Sequence, residues 1–240
     1  MNARPYLREV VLAPEADIDY SAYPFSIPSL RRLGKLTLHA DVTFLVGENG
    51  SGKSTVLEAI AVGMGMPAEG GSRNVNRQQQ EVSPLQRHLK FIRSYKKPDA
   101  TYFLRAESLF GVFSYLDDVY GRQPGDARSL HSRSHGEAFM EVILGLRKNG
   151  LYLFDEPEAA LSPARQLAAL SAMHQLVSQE CQFIIATHSP ILLAYPGAKI
   201  LHFDDAGISE RAYEDTEHFA ITRDFLNHYP RRLEQLLGDG

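Results

Sequence analysis

The stretch Gly47-Glu48-Asn49-Gly50-Ser51-Gly52-Lys53-Ser54 decides how the rest of this 240-residue chain is read. The apolar run Val42-Thr43-Phe44-Leu45-Val46 precedes it and the amphipathic segment Thr55-Val56-Leu57-Glu58-Ala59-Ile60-Ala61 follows it. That pattern predicts a buried strand, a glycine loop and a helix in direct succession. Glycines at 47, 50 and 52 let successive backbone N–H groups, with those of Asn49 and Ser51, turn inward onto phosphate oxygens. The helix that starts near Lys53 aims its positive dipole end at the same anion. Lys53 then reaches the terminal phosphates and the Ser54 hydroxyl, beside Thr55, is placed to hold Mg²⁺.

Composition excludes several other classes. One cysteine, Cys181, cannot pair within the chain, and its apolar neighbourhood predicts a buried, inert thiol in a reducing compartment. The opening segment MNARPYLREV lacks the apolar core of a signal peptide, and no apolar run reaches membrane-spanning length, so a cytoplasmic protein without membrane insertion is expected. Nine histidines occur without a His-Glu-x-x-His or paired-cysteine spacing, which gives no case for zinc, and no Gly-x-Ser-x-Gly nucleophile elbow is present. The net charge of −4 hides an asymmetry: residues 71–105 carry eight basic against two acidic side chains. A block of that kind is either a solvated helix face or an attractor of phosphates or an acidic partner.

Along the chain, residues 6–12 read as a strand, 14–28 as a loop with aromatic punctuation, and 36–39 as a half-buried strand feeding the one before the glycine loop. Gly63, Gly65 and Pro67 stop the first helix. From 73 to about 150 the pattern is chiefly helical, with Leu85, Leu89 and Ile92 at helical spacing and one short strand at 101–104. The polar stretch 120–134 ends in Ser134-His135-Gly136-Glu137, which opens a further helix closed by Arg147-Lys148-Asn149-Gly150. The continuous apolar run Leu151-Tyr152-Leu153-Phe154 places Asp155-Glu156 at the C-terminal end of a buried strand. Ser162-Pro163 starts a long helix, residues 182–186 form another buried strand ending at Thr187-His188-Ser189-Pro190, and two short strands and a helix complete the chain. The fold class is α/β. A nucleotide-binding core spans 1–70 and 150–205, an inserted, mainly helical lobe spans 71–149, and the segment 206–240 packs on the core.

Three strands ending in a phosphate loop, in Asp-Glu and in Thr-His make one chemical set. Asp155 suits the holding of Mg²⁺, Glu156 the polarisation of an attacking water, and His188 contact with the γ-phosphate.

At this point the sequence resembles the ABC-class P-loop ATPases over nearly its whole length. Gly47 to Ser54 resembles the Walker A loop, LYLFDEP the Walker B strand with its catalytic glutamate, and Thr187-His188-Ser189 the switch histidine. Ser134-His135-Gly136-Glu137 is similar to the signature motif in the Ser-x-Gly-Glu form of SMC and RecF heads and related soluble AAA-family ATPases, whereas transporter subunits usually carry Leu-Ser-Gly-Gly-Gln. Glu158-Ala159-Ala160-Leu161-Ser162 resembles the D-loop with serine in place of aspartate, and Glu107 or Ser108 stands where the Q-loop glutamine belongs. Sustained heptads are absent, which excludes long coiled-coil arms.

The resemblance implies ATP and Mg²⁺ as substrate and cofactor. It also implies an ATP-dependent homodimer in which the signature of one copy closes over the nucleotide of the other. DNA repair or defence, with nucleic acid on residues 71–105, is one expected setting. A nucleotide-binding subunit working with a membrane or other protein partner is the alternative.

Overall fold

The computed structural model describes residues 4–14, 18–68, 70–72, 83–105 and 135–238. Its main sheet has seven strands in the order β10-β9-β3-β8-β7-β6-β4. These are β3 (Val42–Gly47), β4 (Gly71–Ser72), β6 (Ala100–Arg105), β7 (Gly150–Asp155), β8 (Gln182–Ala186), β9 (Lys199–Asp204) and β10 (Gly207–Arg211). The five inner strands run parallel, and β4 and β10 close the two edges antiparallel. A second sheet, antiparallel and three-stranded, takes the order β2-β1-β5 from Lys35–Thr37, Leu7–Leu12 and Leu89–Arg93.

Continuous apolar runs form the inner strands because both faces of the sheet are covered. Alternation along each strand then divides the core in two. Leu45, Leu153 and Ile184 point toward the helix that follows the glycine loop, α2 (Lys53–Gly63), which comes after the short α1 (Pro28–Arg31). Their neighbours Phe44, Phe154 and Phe183 point to the opposite face, under α3 (His135–Leu144) and α4 (Pro163–Ser178). Phe154 meets both Phe139 and Phe183 edge-on, with ring centroids 6.0 and 5.6 Å apart. Each such buried ring contributes about 1.5–3 kcal/mol of transfer free energy. The result is a three-layer sandwich.

The two sheets are joined by polar groups that have no water to turn to. Gln182 is fully buried at the start of β8; its amide donates to the carbonyls of Leu7 and His39 at 2.9 Å each, and its carbonyl accepts from the Leu7 amide at 3.1 Å. Arg4 adds an ion pair to Asp41 at 2.6 Å and bonds to the carbonyls of Val177 and Cys181. Cys181 is buried, and burial raises its thiol pKa, in line with an inert side chain.

One expectation fails. Leu85, Leu89 and Ile92 do not lie on a helix: residues 84–88 make a 3₁₀ turn and residues 89–93 form β5. The pairing of β5 with β1, more than seventy residues away in sequence, overrides local helical spacing. The strand read at 36–39 is β2, which pairs with β1 and leads through a short turn into β3. The terminal part comprises α5 (Pro190–Leu193) and α6 (Glu217–Leu237), and no helix among the described residues is long and apolar enough to cross a membrane.

Candidate functional site

Parallel order brings three C-terminal strand ends to one edge: β3 runs into the glycine loop, its neighbour β8 into Thr187-His188, and the next strand, β7, into Asp155-Glu156. Ligands collect at that edge in parallel α/β sheets.

The loop can turn there only because of its glycines. At Gly47 φ is +144°, and a Cβ would stand 2.3 Å from the Phe203 carbonyl oxygen. Gly52 caps α2 at φ +96° with its missing side chain facing Leu30. Ser29 Oγ donates to the Ser51 carbonyl, which fixes the outer limb of the loop on α1. Glu48, Asn49 and Gly50 are exposed at its tip.

Lys53 is 3% exposed, and its Nζ donates to the carbonyls of Gly47 and Glu48 at 2.8 Å each, so the side chain folds back along the loop. Burial pushes its pKa down from the usual lysine value, while Glu156, Asp155 and Glu158 pull the other way. A bound polyphosphate would add negative charge where the ammonium most needs it. Ser54 Oγ donates to Asp155 Oδ1 at 2.9 Å. The second carboxylate oxygen lies 3.5 Å from Arg105 Nε, and the same guanidinium pairs with Glu58 at 3.1 Å. Arg105 therefore faces the site and leaves the basic surface on which its sequence position had placed it.

Glu156 sits in left-handed backbone geometry, φ 50° and ψ 52°, held by its amide on the Ala186 carbonyl at 2.9 Å. Its Oε1 is 3.7 Å from His188 Nε2. Burial and the nearby Lys53 hold the His188 pKa below the ordinary histidine value, against the pull of Glu156 and Glu158. Glu158 ties the turn after β7 to the strand beside it: its carboxylate accepts from Thr187 Oγ1 at 2.7 Å and from the His188 amide at 2.5 Å. A cavity of about 600 Å³ opens over these groups, lined by Gly47, Asn49, Glu156, His188, His218 and Ile221 among others. Tyr23, 57% exposed, places its hydroxyl 3.2 Å from Thr55 Oγ1, whereas Phe25 is buried in the core.

Gly136 and Glu137 stand at the start of α3, away from that cavity lining. A Cβ on Gly136 would meet Arg165 Nη1 at 2.4 Å and the Ala160 carbonyl at 2.8 Å, and Arg165 bonds to Glu137 at 3.1 Å. The signature-like residues thus pack on the D-loop-like turn Ala160-Leu161-Ser162 of their own chain. A bulky side chain at 136 would disturb that contact before it met any partner. Ser134 and Glu107 lie outside the described residues. Sequence reasoning missed Arg105 and His218 beside the site, and gave Glu158 only as the start of the D-loop-like stretch, without its bonds to Thr187 and the His188 amide. For Arg105 the only signal is its place beside a strand end; for His218 it is a Thr216 cap that fixes where a helix begins.

Residues 27–107 match the AAA_23 family, an AAA domain. The chain is 26% identical over 229 residues to the energy-coupling factor transporter ATP-binding protein EcfA2 of Methanospirillum hungatei, covering 84% of this chain and 56% of that protein. It is 25% identical over 181 residues to an uncharacterized ABC transporter ATP-binding protein of Haemophilus influenzae, covering 67% of this chain and 68% of that one. The chain therefore spans little more than half the length of the Methanospirillum protein. Among solved structures, cbiO1 of Clostridium perfringens, part of the ABC transporter complex cbiONQ, superposes with a TM-score of 0.52 at 15% identity over 97% of this chain and all of that one. An SmcHead bound to the C-winged helix domain of ScpA gives 0.51 at 14% identity, over 86% of this chain and 98% of that one. The likeness to the solved structures is one of fold, and the two sequence relatives are ATP-binding proteins of transporters.

Proposed function

We propose that the chain hydrolyses ATP with Mg²⁺ and does so as a head-to-tail homodimer that forms on ATP and separates after hydrolysis. The carrying observation is the convergence of Lys53, the Ser54–Asp155 pair and Glu156 on one edge of the sheet. Ser54 Oγ and the Asp155 carboxylate are hard oxygen donors 2.9 Å apart, a set that fits Mg²⁺. A Mg²⁺ ion held by Ser54 and Asp155 would supply charge neutralisation of the phosphates. The loop amides from Asn49 to Thr55 bind the phosphate chain, and Lys53 fixes its terminal part. Glu156, directed into the cavity by its left-handed turn, accepts the proton of the attacking water. His188 Nε2, 3.7 Å from Glu156, would donate to the γ-phosphate.

The homodimer is supported by where the signature-like residues are. Gly136 and Glu137 do not line the cavity over their own phosphate loop, and the chain has one such loop, so with Ser134 and His135 they would serve the nucleotide of a second copy. In light scattering, Glu156→Gln with ATP and Mg²⁺ is expected to run as a dimer and the nucleotide-free protein as a monomer. A monomer under both conditions would contradict the sandwich.

What the cycle drives has two readings. Arg87, Lys90, Arg93, Lys96 and Lys97 are all exposed on and around the edge strand β5, which supports phosphate contacts with nucleic acid and a role in repair or defence. The sequence relatives, both ATP-binding proteins of transporters, favour a membrane-protein partner instead. Stimulation of ATP turnover by duplex DNA, lost at high salt, would select the first.

A further inference from the structure

The histidine at the end of β8 is held by a second histidine that comes from the far end of the chain. His188 Nδ1 and His218 Nε2 are 3.0 Å apart, with ring centroids at 5.1 Å and planes inclined by 51°. His218 is delivered there by a rigid junction. Tyr213 donates to the Pro190 carbonyl at 2.8 Å, and its ring packs tilted against Phe219 with centroids 4.6 Å apart. Thr216 caps α6, its Oγ1 accepting from the Phe219 amide, so His218 occupies the first turn of that helix and faces the cavity.

We propose that His218 is a positioning residue that donates its Nε2–H to His188 Nδ1 and so fixes His188 as the tautomer carrying its hydrogen on Nε2, toward the terminal phosphate. This rests on the ATP reading above for its functional meaning, but the tautomer follows from groups on the page. Two imidazoles that share a hydrogen bond need one donor and one acceptor. If His188 gave the hydrogen from Nδ1, its Nε2 would present a bare lone pair to the Glu156 carboxylate 3.7 Å away and to any phosphate oxygen beyond it, acceptor against acceptor. With the hydrogen on Nε2, that buried nitrogen, which has no hydrogen-bond partner among the described residues, has an acceptor to meet.

Neither ring gains by carrying both protons. Burial lowers the pKa of each; Lys53 lowers both, and His202 and the His188 ring lower that of His218, against Glu156 and Glu158 on one side and Glu217 on the other. The pair is therefore neutral with neutral, and the direction of its one hydrogen bond decides what His188 offers the nucleotide. Glu158 fixes the backbone and His218 the ring. Through this contact α6 reaches the phosphate end of the site.

The test combines rate with tautomer. In single-turnover hydrolysis of ATP with Mg²⁺, His218→Ala is expected to lose about 10- to 100-fold, by analogy with the loss of a partner that orients a metal-ligating histidine, with nucleotide affinity kept. Glutamine places its amide N–H where His218 Nε2 lies, so His218→Gln restores most of the rate, and the shorter His218→Asn does not. Nitrogen NMR of the full-length labelled chain with a non-hydrolysable ATP analogue should show His188 protonated on Nε2 in the wild type and a mixture of tautomers in His218→Ala. Wild-type protonation on Nδ1, or an alanine variant with unchanged rate and tautomer, overturns the proposal. If the wild type hydrolyses no ATP, the functional reading fails separately, and the NMR comparison alone upholds or overturns the role of His218.

Discussion

Glu156→Gln is expected to bind ATP and Mg²⁺ as the wild type does and to lose about 10²- to 10⁴-fold in the hydrolytic step. The substitution removes one charge and the capacity to take a proton, and it leaves the shape of the side chain. What makes the position special is its backbone. A non-glycine residue at φ 50° and ψ 52° costs on the order of 1–3 kcal/mol, and here the Ala186 carbonyl and Pro157 hold it in place. The turn lifts the carboxylate off the end of β7 and aims it into the cavity beside His188. Asp155, one residue earlier, stays on the sheet and faces Ser54 instead. Adjacent carboxylates thereby take different tasks, and removal of one should leave the other intact. A single-turnover assay on saturated protein reads the effect; a wild-type rate in Glu156→Gln would remove Glu156 as the base.

Lys53→Ala should fail one step earlier, at binding. The ammonium is buried, held on two loop carbonyls and surrounded by the Asp155, Glu156 and Glu158 carboxylates. Truncating one partner of a buried, hydrogen-bonded charge contact costs about 2–5 kcal/mol, so affinity for a fluorescent ATP analogue is expected to fall by about 30-fold to several thousand-fold. The variant also removes a positive charge that acts on Asp155 and Glu156. Circular dichroism at the same temperature separates lost binding from lost fold. Undiminished affinity in a folded Lys53→Ala protein would mean that the loop holds no terminal phosphate.

The inner sheet was legible in the sequence for a physical reason. Residues 42–46, 151–154 and 182–186 are buried on both faces, so each appears as a mainly apolar run, and the last two end in the polar pairs Asp155-Glu156 and Thr187-His188. The glycines of the loop were equally plain, since Gly47 and Gly52 occupy geometry closed to other residues. β5 was not. Its alternation, Leu89 and Phe91 inward against Lys90 and Ile92 outward, spans only five residues, and the spacing of Leu85, Leu89 and Ile92 suits a helix as well. Only the pairing with β1 decides between them.

The same limit applied at the site. Arg105 could be counted among surface cations from its sequence position, because nothing local says that β6 lies beside β7 and brings its guanidinium to Asp155. His218 is thirty residues from His188, and the capped turn that carries it back is a tertiary event. The residues that the motifs single out meet at one edge of the sheet, whereas Arg105 and His218, packed beside them, carry no motif.

The most direct test of the central claim is phosphate release from ATP by the purified wild-type chain with Mg²⁺, in single turnover and across a range of protein concentrations. The account predicts stoichiometric release of γ-phosphate at a rate that rises with concentration as copies pair. ATP bound at the loop and recovered unhydrolysed at every concentration would contradict it.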